Sequence, residues 1–341
     1  MIFTEYVKIP LKDVERGNVI SDRGILEIFE NNQGKILSGE EIARTLGVSR
    51  NCVWKNINQL KKEGYAIISH STVGYSLSCD SDVFSANRIM SLSKSNVNVL
   101  FYDEVTSTND IAKDLARDGA EEGTVIISKT QTQGKGRMGR SFISNEDNGI
   151  YMSLVLRPQM PLSESVNITV MGACAVLEAI EKTSGVNCTV KWVNDIYIKD
   201  KKACGILTEA SFDFESTQLD YAILGIGVNV TPPRNGFNDE ISAIATSIYP
   251  LKSPIGYKSV LCAEIIDRFM HYYKNAHDKS YIKLYKDKSN ILGEYVNVIR
   301  GNEVVSGKAI DIDANANLIV ETKNGIVKFN SGEARVRKNG K

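Results

Sequence analysis

The segment of the sequence best suited to chemistry is a loop that alternates glycines with cations, GKGRMGR at residues 134–140. Its three glycines and three cations expose backbone N–H groups and positive charge, which suits phosphate binding, and the glycines permit closure on a ligand. The spacing differs from that of a Walker loop. An exposed basic loop that binds nothing is therefore the alternative interpretation.

A second cluster is KWVND at residues 191–195, which is followed by KACGILTE at residues 202–209. The alternation of apolar and polar residues in both pieces predicts a hairpin. Asp195 and Lys202 would give this hairpin a carboxylate and an ammonium group. Ordinary surface charges are the alternative, because most such side chains are solvated.

Two smaller clusters complete the set. The predicted strand GIGVN at residues 225–229 has glycines that leave room for a flat ligand against a sheet, although glycines also mark bulges. Ser107, Thr108 and Asn109 precede a predicted helix, where simple N-capping is the alternative role.

The elements that must position these clusters alternate between strands and helices from residue 99 to about residue 285. Short β-branched runs predict strands, and apolar residues at helical spacing predict helices. The clearest segments are strands at residues 125–128, 151–156 and 221–230, and helices at residues 109–116 and 168–182. This pattern predicts an α+β domain with a mixed sheet covered by helices.

The N-terminal part predicts a winged helix-turn-helix domain at residues 21–80. A short helix is expected from about residue 25 to an end near residues 31–34, and a second helix at residues 40–46. A turn at Gly47 would follow, and then a third helix that Ser49 caps and Gly64 ends. Short strands at 65–69 and 74–78 would form the wing. The third helix would turn an outer face to the DNA major groove, and the candidate contacts are Ser49, Arg50, Asn51, Lys55 and Asn58, with Lys62 on the same face. A solvated face is the alternative.

The remaining segments are assigned by composition. We expect a leader of unknown role at residues 1–20, a linker with one short helix at 81–98, a catalytic domain at 99–288 and a small β barrel at 289–341. In the barrel, Gly301-Asn302 and Asn324-Gly325 predict hairpin turns.

Composition narrows the possible functions. The 41 basic and 41 acidic side chains balance, so contact with nucleic acid requires a local patch. The six cysteines form no C-x-x-C pair and the three histidines lie at no metal-ligand spacing, so we expect reduced thiols and no metal site. The N-terminal segment is charged and no apolar run reaches the length of a membrane span, which predicts a cytoplasmic protein without a membrane partner.

Taken in order, the four clusters resemble the biotin protein ligase family, and the flanking domains resemble its bifunctional members that also repress the biotin operon. The resemblance covers nearly everything after residue 20. It implies a central domain like class II aminoacyl-tRNA synthetases and an SH3-like C-terminal barrel. It also implies ATP, biotin and Mg²⁺ as ligands, a biotin carboxyl carrier protein and operator DNA as partners, and a ligand-promoted homodimer.

The resemblance also implies roles for individual residues. Lys202, Arg137 and Asp195 would be catalytic, and Phe142, Asn194 and Asp195 would lie on the nucleotide side. Residues implied for biotin and the adenylate are Ser107, Thr108, Asn109, Gln131, Gly134, Lys135, Gly136, Arg137, Lys202, Gly205, Gly225, Gly227 and Asn229. The sequence departs from the family pattern at Lys135 in place of an Arg, at Val193 in place of a Pro, and at Cys204 in a small-residue position. Lys offers a single point charge where the Arg guanidinium offers paired hydrogen-bond donors. The change at Lys135 therefore affects ligand binding by the loop more than the other two changes do.

The implied reaction has two steps, adenylation of biotin and transfer to an acceptor lysine. Two alternatives stay open. A lipoate protein ligase shares this chemistry but needs a longer apolar tunnel, and a biotin sensor without ligase activity would share the same domains.

Overall fold

A computed structural model describes residues 22–62, 65–79, 81–82, 84–161, 164–213 and 218–336. The chain divides between Ser81 and Asp82 into two compact units. The leader expected at residues 1–20 and Gly64, the expected end of the third helix, lie outside the described residues.

The first unit has three helices followed by a hairpin: α1 (Asp22–Asn31), α2 (Gly39–Leu46), α3 (Arg50–Lys62), β1 (Ile67–His70) and β2 (Gly74–Leu77). Gly47 ends α2 with a φ of 66°, a left-handed conformation that favours glycine. The Ser49 hydroxyl accepts the Cys52 N–H at 3.2 Å and so caps α3. Antiparallel pairing of β1 with β2 forms the wing. The predicted helix-turn-helix and wing are confirmed.

The second unit is built on a mixed sheet of seven strands: β3 (Asn98–Val105), β4 (Thr124–Gln131), β5 (Gly149–Leu156), β6 (Thr189–Lys191), β7 (Asp195–Ile198), β8 (Lys201–Asp213) and β9 (Gln218–Asn229). The strand order is β3-β4-β5-β9-β8-β7-β6. Only β3 and β4 pair in parallel among these described strands, and the other neighbours are antiparallel. The mixed sheet is confirmed.

The second unit contains α4 (Ala86–Leu92), α5 (Thr108–Arg117), α6 (Val166–Ser184), α7 (Asp239–Ser242), α8 (Tyr257–Lys274) and α9 (Ser280–Asp287). Helix α5 covers one face of the sheet, and α6 and α8 cover the other. Successive residues of β4 point to opposite faces. Val125 and Ile127 therefore enter the large core with α6 and α8, whereas Ile126 packs with Ala112 and Ala116 of α5. All residues of β5 are buried, as expected for a strand covered on both faces.

The chain continues into an antiparallel sheet of five strands: β10 (Tyr295–Arg300), β11 (Glu303–Ile312), β12 (Leu318–Thr322), β13 (Gly325–Phe329) and β14 (Glu333–Val336). Their order is β13-β12-β11-β10-β14. The turn at Gly301-Asn302 is confirmed, since Arg300 pairs with Glu303. The second turn lies one residue earlier than predicted, because Gly325 already pairs with Thr322.

None of the helices in the described ranges combines the length and apolar character that a bilayer span requires. All six cysteines are free thiols, and four of them are buried. Burial raises the pKa of these four thiols, and for Cys188 the value rises to about 12.

Candidate functional site

A cleft of about 460 Å³, here called the inner cleft, lies on the face of the sheet that packs against α5. It brings together thirteen of the residues predicted for the site: Ser107, Thr108, Asn109, Gln131, Lys135, Gly136, Arg137, Phe142, Asn194, Lys202, Gly205, Gly225 and Gly227. Asp195 and Asn229 line a second, adjoining cleft. Gly134 is the first residue of the glycine-rich loop, and its carbonyl accepts the Phe142 N–H at 2.8 Å.

The floor of the inner cleft is a buried network of polar side chains. Gln131 Oε1 accepts the Thr108 N–H at 2.8 Å and lies 3.1 Å from the Thr108 hydroxyl. The Ser153 hydroxyl lies 2.8 Å from Thr108 Oγ1 and 2.6 Å from Asn109 Oδ1. Buried polar groups are costly unless they are paired, so this network fixes the side chains before any ligand arrives.

Ser107 occupies the N-cap position of α5, but its side chain makes no capping hydrogen bond in the described part of the chain. The alternative that Ser107 serves as a simple helix cap is therefore not supported. Ser107 is instead one of the residues that line the inner cleft.

The glycines of β9 lie in a regular part of the sheet, opposite Ser153 and Tyr151 of β5. They therefore mark no bulge. A Cβ on Gly225 would lie 2.1 Å from Asn109 Oδ1, and one on Gly227 would lie 2.8 Å from the Phe142 ring. Contacts this short do not occur. Asn109 and Phe142 can therefore lie against the sheet only because residues 225 and 227 are glycines.

The glycine-rich loop folds back on itself between Lys135 and Ser141, which form an isolated bridge. The Gly136 N–H donates to the Arg140 carbonyl at 2.7 Å. Met138, at the tip, has a φ of 56° and is 61% exposed. A left-handed backbone is unusual for a Met, so the tip is a strained conformation.

Three cations of the loop have partners elsewhere in the unit. Lys135 Nζ lies 2.5 Å from Asp110 Oδ1 of α5. Arg137 donates to Asn194 Oδ1 at 2.9 Å, and Arg140 lies 2.7 Å from Glu333 Oε2 of β14. The loop is therefore held at both sides, by α5 and by the C-terminal sheet.

Arg137 is the most buried cation of the loop. Burial lowers the pKa of its guanidinium, although the charges of Asp195 and Glu333 act in the opposite direction. Its hydrogen-bond partners Asn194 Oδ1 and the Gly332 carbonyl are both neutral. A partly desolvated Arg stays charged at neutral pH, so Arg137 is suited to an anionic ligand.

Lys202 forms the other cationic centre. The predicted hairpin is confirmed for β7 and β8, but residues 189–191 form a third strand, β6, on its outer side. Lys202 reaches across Gly205 to Asp195, with 2.8 Å between Nζ and Oδ1. Asp195 lies within β7 and is not a surface turn residue, and Lys202 is not a freely solvated charge.

The adjoining cleft, here called the outer cleft, is open to solvent and spans about 1740 Å³. Its wall includes aromatic and apolar side chains, among them Ile143, Trp192, Tyr197, Phe237 and Ile241. Five residues line both clefts: Gly136, Arg137, Phe142, Asn194 and Lys202. A small polar cavity and a larger cavity with an apolar wall therefore meet at two cations. This arrangement can bring two anionic ligands into contact.

The first unit has a separate candidate surface on α3. Val53, Ile57 and Leu60 are buried, which leaves Ser49, Arg50, Asn51, Lys55 and Lys62 exposed. Asn58 is half-buried. Trp54, which the sequence analysis did not single out, is 53% exposed on the same helix. In the wing, His70 Nε2 lies 2.8 Å from Ser76 Oγ.

Several site residues were missed by sequence reasoning. Ser153 could have been identified from the sequence, because it is a polar residue in the middle of the apolar run of β5. Glu209 contacts Asn109, and Glu333 contacts Arg140, across 100 and 193 residues of sequence respectively. No local pattern predicts such long-range pairs.

Three known protein domains match consecutive parts of the chain. An HTH domain matches residues 23–76, the biotin/lipoate A/B protein ligase family matches residues 101–229, and the biotin protein ligase C terminal domain matches residues 291–337. The chain is similar to the bifunctional ligase/repressor BirA of Bacillus subtilis (strain 168), with 35% identity over 317 residues that cover 91% of this chain and 97% of that protein.

More distant proteins show the same likeness. The bifunctional ligase/repressor BirA of Escherichia coli (strain K12) is 26% identical over 311 residues, or 89% of this chain and 94% of that protein. The solved structure of the biotin protein ligase from Aquifex aeolicus in complex with biotin and ATP aligns with a TM-score of 0.58 and 28% identity. That alignment covers 71% of this chain and 99% of the other.

Proposed function

This chain belongs to the family of bifunctional biotin ligase/repressors, and from that premise we propose how its two clefts join biotin to a carrier protein. The protein is an ATP-dependent biotin protein ligase and a DNA-binding repressor. One observation supports the assignment of the clefts most directly. The inner cleft and the outer cleft share Arg137 and Lys202, so biotin in one and ATP in the other would meet at these cations.

In the first step a carboxylate oxygen of biotin attacks the α-phosphorus of ATP. The bond to the bridging oxygen breaks, pyrophosphate leaves with its electron pair, and biotinyl-5′-AMP remains. Lys202 and Arg137 hold the two anions together and stabilise the charge that develops on the phosphorus oxygens. Asp195, 2.8 Å from Lys202 Nζ, keeps that ammonium group at the junction.

In the second step the amine of an acceptor lysine on the biotin carboxyl carrier protein attacks the acyl carbon, and AMP leaves. The nucleophile belongs to the substrate, so the chain needs to supply none. The glycine-rich loop shields the mixed anhydride from water.

We assign the polar floor to the biotin head group through Ser107, Thr108, Asn109 and Gln131. Gly205, Gly225 and Gly227 let Lys202, Asn109 and Phe142 lie against the sheet, and these side chains would border the ring system. Gly134, Lys135, Gly136 and Arg137 close over the adenylate, and Asn229 completes the wall at the outer cleft. Phe142, Asn194 and Asp195 lie on the nucleotide side. The buried hydrogen bonds among Thr108, Asn109, Gln131 and Ser153 support the assignment of the floor.

Mg²⁺ would enter with ATP, because this ion is usually held by substrate phosphates, water and one or two carboxylates. Asp195 and Glu333 are the carboxylates that line the outer cleft, and both already face cations. The described residues contain no cluster of three or more metal-ligating side chains. This donor set fits a metal that brings most of its ligands with the nucleotide, where it would neutralise phosphate charge.

For repression, we propose that α3 reads operator DNA through Ser49, Arg50, Asn51, Lys55 and Asn58. We also propose a homodimer that biotin and ATP promote, since two symmetric recognition helices suit two half-sites. The five-stranded C-terminal sheet would close as an SH3-like barrel, and the central domain would be of the class II aminoacyl-tRNA synthetase type.

The test of this function is transfer to a purified carrier domain with ATP, Mg²⁺ and biotin, followed by intact-mass measurement. A mass gain of one biotinyl group, dependent on ATP, is the expected result. Lipoate serves as the control acid. Adenylate formation without transfer would restrict the protein to the first step. If neither reaction occurred, a biotin sensor would be the remaining function.

A further inference from the structure

Asn109 is held from both sides by groups of opposite hydrogen-bonding character. Its side chain is almost fully buried, its Nδ2 donates to Glu209 Oε2 at 2.7 Å, and its Oδ1 lies 2.6 Å from the Ser153 hydroxyl. The two ends of an amide are nearly the same size, so the neighbours decide its orientation. A carboxylate only accepts hydrogen bonds. Glu209 therefore takes the NH₂ group and turns the carbonyl oxygen toward Ser153.

The floor of the inner cleft then holds more acceptors than hydrogens. Three oxygen-to-oxygen contacts run along it: Thr108 to Gln131 at 3.1 Å, Thr108 to Ser153 at 2.8 Å, and Ser153 to Asn109 at 2.6 Å. The hydroxyls of Thr108 and Ser153 supply only two hydrogens for these three contacts. One of the three contacts therefore has no hydrogen between its oxygens, and an oxygen of the floor can accept from a ligand that brings an N–H group.

Lys113 fixes the carboxylate that controls this arrangement. Its Nζ lies 2.5 Å from Glu209 Oε1, the oxygen that does not contact Asn109. The two oxygens of Glu209 therefore have different partners, one cationic and one neutral. Lys113 also lies 3.7 Å from Asp110, the partner of Lys135 in the glycine-rich loop.

We propose that Glu209 is a positioning residue that sets the hydrogen-bonding polarity of the inner cleft. Acting through Asn109, it makes the floor an acceptor of ligand N–H groups, such as those of the biotin ureido ring. The proposal rests on the proposed function and names a residue that acts behind the binding surface.

The variant Glu209→Gln changes this polarity with almost no change in shape. Lys113 retains the Gln carbonyl oxygen, so the new NH₂ group faces Asn109 and forces its amide to turn over. The turned amide points its own NH₂ at Ser153, which adds donors where the ligand also brings donors. We expect the Kd for biotin, measured by calorimetry, to rise about tenfold to a hundredfold, because buried unmatched polar groups are costly. The KM for ATP should stay the same.

Exchanging the two groups provides the decisive comparison. Asn109→Asp alone places two carboxylates together and should also weaken biotin binding. In the double variant with Asn109→Asp and Glu209→Gln, the Gln NH₂ donates to one Asp oxygen and the other oxygen again faces Ser153. The double variant should therefore bind biotin more tightly than either single variant. Asp114→Asn, which removes an exposed carboxylate paired with Arg117 on the same helix, is the matched control and should bind normally.

The outcomes separate the possible explanations. If the losses in biotin binding free energy of the two single variants simply add in the double variant, Glu209 contributes only to general packing. That result would overturn the proposal. Equal binding by Glu209→Gln and the wild type would overturn it as well. If the wild type itself bound no biotin, the proposed function would fail first, and that result would be seen before any variant is compared.

Discussion

Lys202 lies at the junction of the two clefts, where the proposed reaction gathers negative charge. Replacing it with Ala removes one electrostatic contact to the transition state, and such a loss typically costs about 2.7–4 kcal/mol. We expect Lys202→Ala to slow biotinyl-adenylate formation by roughly two to three orders of magnitude. Lys201→Ala, a neighbouring exposed Lys that contacts the Ser242 carbonyl, is the control. Pyrophosphate release near the wild-type rate would contradict the role of Lys202.

Among individual residues, the motif residues of the site were predictable from the sequence, but the side chains that hydrogen-bond to them were not. Thirteen predicted residues line the inner cleft, because each cluster lies beside a strand or helix that the apolar pattern reveals. Ser153 and Glu209 reach Asn109 across 44 and 100 residues, only after β5 and β8 have packed beside α5. Side-chain partners of this kind depend on tertiary packing and have no local pattern.

Among the elements, the glycine-rich loop depends on the C-terminal sheet for one of its anchors. Burial alone would raise the pKa of Glu333, but hydrogen bonds from Arg335 and Arg140 outweigh it and lower the pKa to about 2. Because the pKa is lowered in the folded protein, ionised Glu333 contributes its full stability at pH values above the ordinary Glu value, and this contribution is lost progressively as the pH falls from that value to about 2. The anchor should therefore persist at pH 4.

We expect Glu333→Gln to release the loop without unfolding the sheet. Amide hydrogen exchange at Gly136, Arg140 and Phe142, whose N–H groups bond within the loop, should accelerate several-fold. Glu321→Gln on β12, an exposed position of the same sheet, is the matched control. Unchanged exchange in Glu333→Gln would show that the ion pair with Arg140 does not hold the loop.

The elements themselves were largely predictable, and the errors have physical causes. The capping of α3 by Ser49 and the β7–β8 hairpin followed from turn and capping chemistry. The hairpin at Asn324-Gly325 was placed one residue late, because Gly325 pairs in the strand although glycine usually marks a turn. The extra strand β6 was missed since it has only three residues.

For the whole molecule, the order of the domains was predictable, because each has its own pattern of periodicity. How ligand binding and DNA binding are coupled does not follow from periodicity. If biotinyl-5′-AMP promotes a homodimer, the dimerisation constant measured by sedimentation should tighten at least about fivefold with biotin and ATP, the lower range of typical couplings. Lys202→Ala should blunt this change. A constant that biotin and ATP leave unchanged would argue against ligand-controlled repression.

The central claim is that the two clefts join biotin to the α-phosphate of ATP. Biotin-dependent exchange of labelled pyrophosphate into ATP by the full chain tests it most directly, since exchange requires the first step to run in both directions. We predict exchange with biotin and none with lipoate. Exchange with lipoate alone would mean that the acid substrate is lipoate and not biotin. The absence of exchange with either acid would contradict the ligase mechanism.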